Sequence, residues 1–591
     1  MDTLPVRLLL AFVGLFLLAA PVSAADAGGE DAKLEAYFKA YLDRRFRQQP
    51  LDATRLGDHR FDHLLDDVSP AARAAWADRD RHTLEDLPRN VDYTKLSRAG
   101  QIDYEIFARE LTYSLWQYEN GRRFETDPRV YNEYITDSVY LLLVQSTVAK
   151  AEAIKSIVGR MAFIPRVVAA AKEGLKDPAR VMVETAIRQN RGAISFYESG
   201  LFELAGETPQ LSELRPAAAK VVLALKDYQQ FLEKTLLPRS GDSWRIGKEK
   251  FARKLDLELN AGLTADDVLA EAERESDRVE RDMYVIAREL WASAFPRKPL
   301  PPEDAAGRRA TITAVLAHYN REHGKAEDLV RDARATVDRI KTFIADADVL
   351  RLPEPDRCRV IEMPEFQRGN SIAFLNQAPA LDPKAASVYA ISPPPRDWDA
   401  RKVDSYLQEY NRYMLQILTI HEAYPGHYVQ LEYSNRNPSL IRKVLSSGAF
   451  VEGWAVYTEQ MMLDQGYGRG DLVLRLNQLK WYLRSVANAV LDHRMHCTAM
   501  TDDEAMEFLT KRAFQSEGEA RLKVIRAKQS SCQLSTYFVG RTAFHRLRQE
   551  IQREQGDQFE LGRFHEAALE QGSPPVKYLP ELVRARLKQP R

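Results

Sequence analysis

Cysteine is scarce in this chain of 591 residues: Cys358, Cys497 and Cys532 are the only three. Their spacing makes neither a zinc knuckle nor a thioredoxin-like pair. It also excludes a disulfide framework, since at most one bridge could form and one thiol would be left over. Net charge is lacking too. The 84 basic and 85 acidic residues leave −1, so nothing in the overall balance calls for nucleic acid or a polybasic membrane contact. There are no internal repeats and no low-complexity tracts. What remains is an ordinary globular composition in a chain long enough for a large core, built as several domains or one bilobed unit.

The longest apolar run is Leu8–Ala20, well short of the roughly 20 residues that cross a bilayer comfortably. Arg7 precedes it and Pro21-Val22-Ser23-Ala24-Ala25 follows. A basic start, a short apolar stretch and small residues at a cleavage position make residues 1–24 a secretory signal peptide, with an uncleaved anchor as the alternative. No cysteine lies near Ala24 to take a lipid. The expectation is an exported protein, periplasmic or secreted, with no membrane contact once the leader is removed.

The rest reads as helix after helix. Leu34–Phe46, Val148–Ile164, Val181–Tyr197, Pro216–Leu236 and Thr264–Trp291 place apolar residues at three- and four-residue steps among charges. One region breaks the pattern. Arg359–Met363, Ser371–Asn376 and Ser387–Ile391 are short, rich in β-branched and aromatic residues, and bounded by Pro, Gly or Asn. They predict a small β-sheet just ahead of the most informative motif. The predicted fold class is therefore mainly α, large and bilobed, with a small sheet beside the active-site helix. Residues 25–350 form much of one lobe and 351–591 form the region with the chemistry.

That motif is His421-Glu422-Ala423-Tyr424-Pro425-Gly426-His427. Val403, Leu407, Tyr410, Met414 and Ile417 make an apolar stripe across Lys402–Ile420, and His421 falls on its next step, pointing inward. A lone histidine there is most simply a core residue bonded to a backbone carbonyl. His421 has company, however. Glu422 follows it as the general base follows the first histidine of the His-Glu-x-x-His zinc motif. In that motif the histidines at i and i+4 lie about 40° apart and chelate one ion. Here the second histidine is at i+6, about 240° around an unbroken helix, which forbids joint ligation. Pro425 and Gly426 sit in the gap and supply the means to break the helix. A third donor is expected from Glu452, a carboxylate in the apolar stripe Glu452, Ala455, Val456, Glu459, Met462. Glu459 lies about 10 Å farther along the axis, which suits a supporting acid better than a ligand.

His421-Glu422-Ala423-Tyr424-Pro425-Gly426-His427 followed by Glu452-Gly453-Trp454-Ala455 resembles the bacterial domain-of-unknown-function 885 family, related to the gluzincin metallopeptidases. The resemblance extends from Pro50-Leu51-Asp52-Ala53-Thr54-Arg55-Leu56-Gly57 to Phe564-His565 and Gly572-Ser573-Pro574. It implies one Zn2+ held by His421, His427 and Glu452, with Glu422 as catalytic base. Asp492-His493-Arg494-Met495-His496 looks like the family's Asp-Thr-Gly-x-His stretch with its middle changed. Ser531–Gly540 is similar to its Pro-Gly-Gln-x-x-Ser-Tyr-x-x-Gly stretch, with Tyr537 kept and Ser531-Cys532 in place of Pro-Gly. Asp492 and His496, one helical turn apart, are a candidate hydrogen-bonded pair, and Tyr537 and His496 are candidate donors to an oxyanion.

The expected activity is hydrolysis of a peptide substrate, with Ser371–Asn376 or Ser387–Ile391 offering an edge strand for an extended peptide. Two other classes stay open: a metal-dependent hydrolase of another amide or ester, and a non-catalytic metal-binding helical protein. A carboxypeptidase would need a cation for the substrate's terminus, and the sequence does not choose among Arg484, Arg494, Arg521 and Arg541. Oligomeric state is not legible.

Overall fold

The computed structural model describes residues 24–363 and 373–590. The leader expected at 1–24 lies outside the described residues, apart from Ala24, which opens the first helix, Ala24–Gln48. The chain is mainly α-helical with one small sheet. Helix boundaries follow local chemistry. Thr264 starts the 30-residue helix Ala265–Ala294 with a reciprocal capping box to Asp267. The expected single helix Val148–Ile164 is two, Lys150–Met161 and Ile164–Gly174, because Pro165 favours the first turn of a new helix over the interior of an old one.

Apolar side chains gather in distinct cores. One, within residues 51–236, is filled by Ile135, Ile154, Val183, Leu225 and their neighbours. The largest runs from Phe251 to Val583 and encloses the His421–His427 segment. A third packs the first helix against Ile441, Leu445, Tyr578 and Leu582. No helix among the described residues is long and apolar enough to cross a membrane.

The sheet has three strands, β1 (Cys358–Glu362), β2 (Ala373–Asn376) and β3 (Ser387–Ile391), in the order β1-β3-β2. β1 runs parallel to β3 and β2 antiparallel to it. The expected strand start at Ser371 lies outside the described residues. β3 is central and buried at every residue, so it cannot serve as an edge for a peptide; of the two candidates, β2 holds the outer position.

Six helices build the site: α1 (Arg412–Glu422), α2 (His427–Asn435), α3 (Gly448–Asp464), α4 (Leu472–Cys497), α5 (Glu517–Gln529) and α6 (Thr536–Gln555). The stripe from Val403 to His421 is not one helix. Asn411 interrupts it, accepting from the backbone N–H groups of Tyr413 and Met414 at 2.9 and 3.0 Å and so starting α1 afresh. Tyr389 of β3 shares a hydrogen bond of 3.1 Å with Thr419 of α1, tying the sheet to the helix that carries His421.

Candidate metal centre

α1 ends at Glu422, and the chain turns through Ala423–Gly426 before α2 begins at His427. The turn is tight: the Gly426 N–H donates to Ile420 O at 3.0 Å. A Cβ on Gly426 would stand 1.9 Å from His421 O and 2.3 Å from Ile420 O. Only glycine lets the backbone close on itself here. Trp454 of α3 fastens the turn from behind, donating from Nε1 to Pro425 O at 2.8 Å. The two imidazoles consequently meet, with ring centres 4.7 Å apart and planes at 84°.

Glu452 completes the set from the second turn of α3. Its Oε2 lies 3.5 Å from His427 Nε2 and 3.8 Å from His421 Nε2. These separations are too long for good hydrogen bonds. Two donors each about 2.0–2.1 Å from a tetrahedral zinc stand roughly 3.3 Å apart, so a small contraction would bring the carboxylate onto a shared ion. Among the described residues these three are the one group of His, Cys, Asp or Glu whose donor atoms, all within 4.8 Å of one another, could hold a metal. Glu452 Oε2 is buried with no hydrogen-bond partner. A buried carboxylate oxygen without a partner is costly, and a cation removes that cost. Two imidazoles and a carboxylate are the donor set of one class of catalytic zinc site, and the residues fit the ion.

Glu459, seven residues on from Glu452, is fully buried and sits 2.7 Å from His421 Nδ1. With Nδ1–H donating to that carboxylate, the lone pair of Nε2 is left facing Glu452 and His427. Glu459 is thus the supporting acid expected from its distance along α3. Replacing it with alanine is expected to weaken zinc binding about 10–100-fold in competition with a chromophoric chelator, while glutamine, which still accepts from Nδ1–H, costs less. Unchanged affinity in the alanine variant would mean that His421 is oriented by something else.

Charge is shared unevenly. Burial, with His427 adding to it, pushes His421 down to about 3. Burial also opposes a charge on His427, but the neighbouring Glu452 carboxylate outweighs it and holds this imidazole above its ordinary value. Glu452 is correspondingly held low by His427 against the penalty of burial. Glu422 is pushed up to about 7, mainly by burial and secondarily by the Glu452 charge, against the pull of His427. Its Oε2 accepts from the Leu375 N–H of β2 at 3.1 Å, which restrains the carboxylate beside the triad without placing it in the donor set.

Tyr537 enters from the first turn of α6, with its hydroxyl near enough to Glu452 to help hold that carboxylate low. It accepts from Arg526 Nη2 at 3.1 Å. α6 approaches α3 so closely because two glycines cross: a Cβ on Gly453 would stand 2.3 Å from Gly540 C, and one on Gly540 1.7 Å from Ala449 O.

His496 does not join the site. Its Nε2 faces the carbonyls of Ala527 and Ser530 at 2.9 and 2.8 Å, and its ring stacks on Phe251. It cannot donate to an oxyanion from there. Nor does it pair with Asp492, whose oxygens accept from Cys532 N–H at 3.0 Å, Ser535 N–H at 3.1 Å and Ser535 Oγ at 2.8 Å. Three donors from one turn outcompete a neighbour on the same helix, and Asp492 instead pins the turn that leads into Tyr537. All three cysteines are unpaired. Gly572-Ser573-Pro574 also acts structurally: Ser573 Oγ accepts from Gln430 Nε2 at 2.7 Å, bracing α2. His565 bridges Val349 O and the Tyr457 hydroxyl, each at 2.8 Å.

A family model described as "Bacterial protein of unknown function (DUF885)" matches residues 50–583. A "putative lipoprotein of unknown function" from Shewanella oneidensis shares 29% sequence identity at a TM-score of 0.79, over 93% of this chain and 99% of its own. The "putative lipoprotein" from Colwellia psychrerythraea has a TM-score of 0.77 over 95% of this chain and 99% of its own. At 17% identity that second likeness concerns the fold alone. No curated protein matches the chain.

Proposed function

This chain belongs to the bacterial DUF885 family, and from the donors gathered at its site we propose that it is a zinc-dependent metallopeptidase of gluzincin type. The observation that carries the reading is the meeting of His421, His427 and Glu452 with Glu422 beside them. A metal-binding role alone needs no base at that position. Zinc on three protein donors supplies an open position for water and lowers that water's pKa towards about 7.

The chain's own residues do the rest. Glu422 takes a proton from the attacking water as the new C–O bond forms at the peptide carbonyl. It returns that proton to the nitrogen as the C–N bond breaks. A carboxylate raised by burial towards neutrality suits both transfers. The Tyr537 hydroxyl donates to the oxygen on which negative charge develops. β2, at the sheet's edge with its Leu375 N–H already directed at Glu422, aligns an extended peptide. The protein is read as exported, in keeping with the leader expected at 1–24 and with the lipoprotein descriptions of the two similar structures.

A digest of a mixed peptide library, run alongside small amides and esters, tests this reading. Zinc-loaded protein is expected to cleave peptides, to lose that activity on chelation and to regain it with added zinc. Turnover of small esters or amides alone would replace the peptidase with another hydrolase. No turnover of any substrate would leave a binding protein.

A further inference from the structure

A cluster of charge lies beside Tyr537, on α4 and α5. Lys480 of α4 pairs with Glu409 at 2.8 Å, and Arg484 pairs with Glu519 of α5 at 2.9 Å. Both pairs are satisfied. Three further cations of α5, Arg521, Lys523 and Arg526, have no carboxylate within ion-pair distance among the described residues; Arg521 is exposed, while Lys523 and Arg526, one helical turn apart, lie on the side of Tyr537. Arg526 donates only to neutral oxygens, Gln533 Oε1 at 2.8 Å and the Tyr537 hydroxyl at 3.1 Å.

Lys523 is only 4% exposed, and no hydrogen bond to its ammonium exists among the described residues. A lysine side chain so largely buried is ordinarily paired, because burying a charge is costly unless something pairs with it. Its surroundings place it at the site: the guanidiniums of Arg484 and Arg526 and the carboxylates of Glu519 and Glu452 all act on it. Burial and the two guanidiniums together push it well below the usual lysine range. Positive charge is thus in local excess next to a metal ligand and the candidate oxyanion donor. An incoming carboxylate would offset that excess.

We propose that Lys523 and Arg526 bind the free α-carboxylate of the peptide substrate, so that the enzyme cleaves close to the C-terminus. The proposal rests on the peptidase reading above and narrows it to a substrate class. Of the arginines considered from sequence, Arg484 is neutralised by Glu519, Arg494 by Glu273, and Arg541 is engaged by Gln460 and by the ring of Tyr482. Arg521 is exposed and makes no hydrogen bond or ion pair among the described residues, whereas Arg526, on the same helix, reaches the Tyr537 hydroxyl.

Three pools of random tetrapeptides test it. One has a free C-terminus and lacks Asp and Glu; the second is the same pool as C-terminal amides; the third is amidated and includes Asp and Glu. Zinc-loaded wild type is expected to prefer the first pool by about 10–100-fold in kcat/KM, the value of one or two charge-assisted hydrogen bonds. Lys523→Met, which keeps the buried volume, should collapse the ratio of free to amidated cleavage, mainly through KM. Lys523→Arg should restore most of it. Equal cleavage of the first two pools, preference for the third, or a methionine variant that keeps the ratio would each overturn the assignment while leaving the peptidase reading intact. If wild type cleaves nothing, the peptidase reading fails and a binding arm still decides the site. In equilibrium dialysis, Glu422→Gln protein should retain the free-terminus pool over the amide pool, and the assignment falls if it retains both equally.

Discussion

Replacing Glu422 with glutamine is expected to cut kcat for peptide hydrolysis by about 10²–10⁴-fold while leaving zinc content at the wild-type level. The two halves of this expectation come from separate observations. Glu422 is absent from the donor set, which His421, His427 and Glu452 complete without it. It is nevertheless fixed at the edge of that set by the Leu375 N–H, at 3.1 Å, a hydrogen bond that a glutamine carbonyl oxygen accepts equally well. The substitution therefore removes proton transfer and little else. Steady-state kinetics combined with metal analysis of the same preparation checks both halves. Retained activity would show that Glu422 is not the base, and lost zinc would make it a ligand.

The second large effect is expected at Gly426. An alanine there meets backbone oxygens, His421 O at 1.9 Å and Ile420 O at 2.3 Å, and these cannot swing aside as a side chain can. The end of α1 must open, and His427 moves with it. Gly426→Ala is expected to lose about 2 kcal/mol or more of stability and about 10–100-fold in zinc affinity, the range seen when a ligand's orientation is lost. Gly192 makes a clean control. It lies inside the helix Arg180–Ser195, and a Cβ there meets nothing within 4 Å. Alanine at 192 should be neutral or stabilise by up to about 1 kcal/mol. Thermal denaturation and chelator competition on the two variants separate a local collision from a general intolerance of alanine. A Gly426→Ala protein with wild-type stability and affinity would contradict the proposed role of this turn.

The candidate metal motif was legible because its geometry is local. Six residues separate the histidines, a regular helix cannot unite them, and only a break at Pro425-Gly426 resolves the conflict. Glu452 and Glu459 were legible for a related reason: a carboxylate in an apolar helical stripe needs a partner, and their spacing along the axis sets one beside the two histidines and the other behind His421. The helical character of the chain and the three strands were likewise written in periodicity.

What the sequence hid depends on partners far away in the chain. Nothing near His496 reveals that the carbonyls of Ala527 and Ser530 claim its Nε2, or that the turn at Cys532–Ser535 claims Asp492. The order of the sheet, which leaves β2 outermost and buries β3, is set by pairing between segments and not by either alone. Lys523 and Arg526 read as two more charges in the polar helix Glu517–Gln529. Their significance emerges only once Glu519 is seen to be spent on Arg484. The break at Asn411 was missed for a different reason: the apolar stripe continues through it in phase, and a cap leaves no mark on periodicity.

The most direct measurement is the metal content of purified protein by mass spectrometry, compared between wild type and a His421→Ala/His427→Ala double variant, with folding of both checked by circular dichroism. One zinc per chain in wild type and none in the folded double variant is the expected result. A wild type without stoichiometric metal, or a double variant that keeps its zinc, would contradict the assignment of His421, His427 and Glu452 as the metal centre.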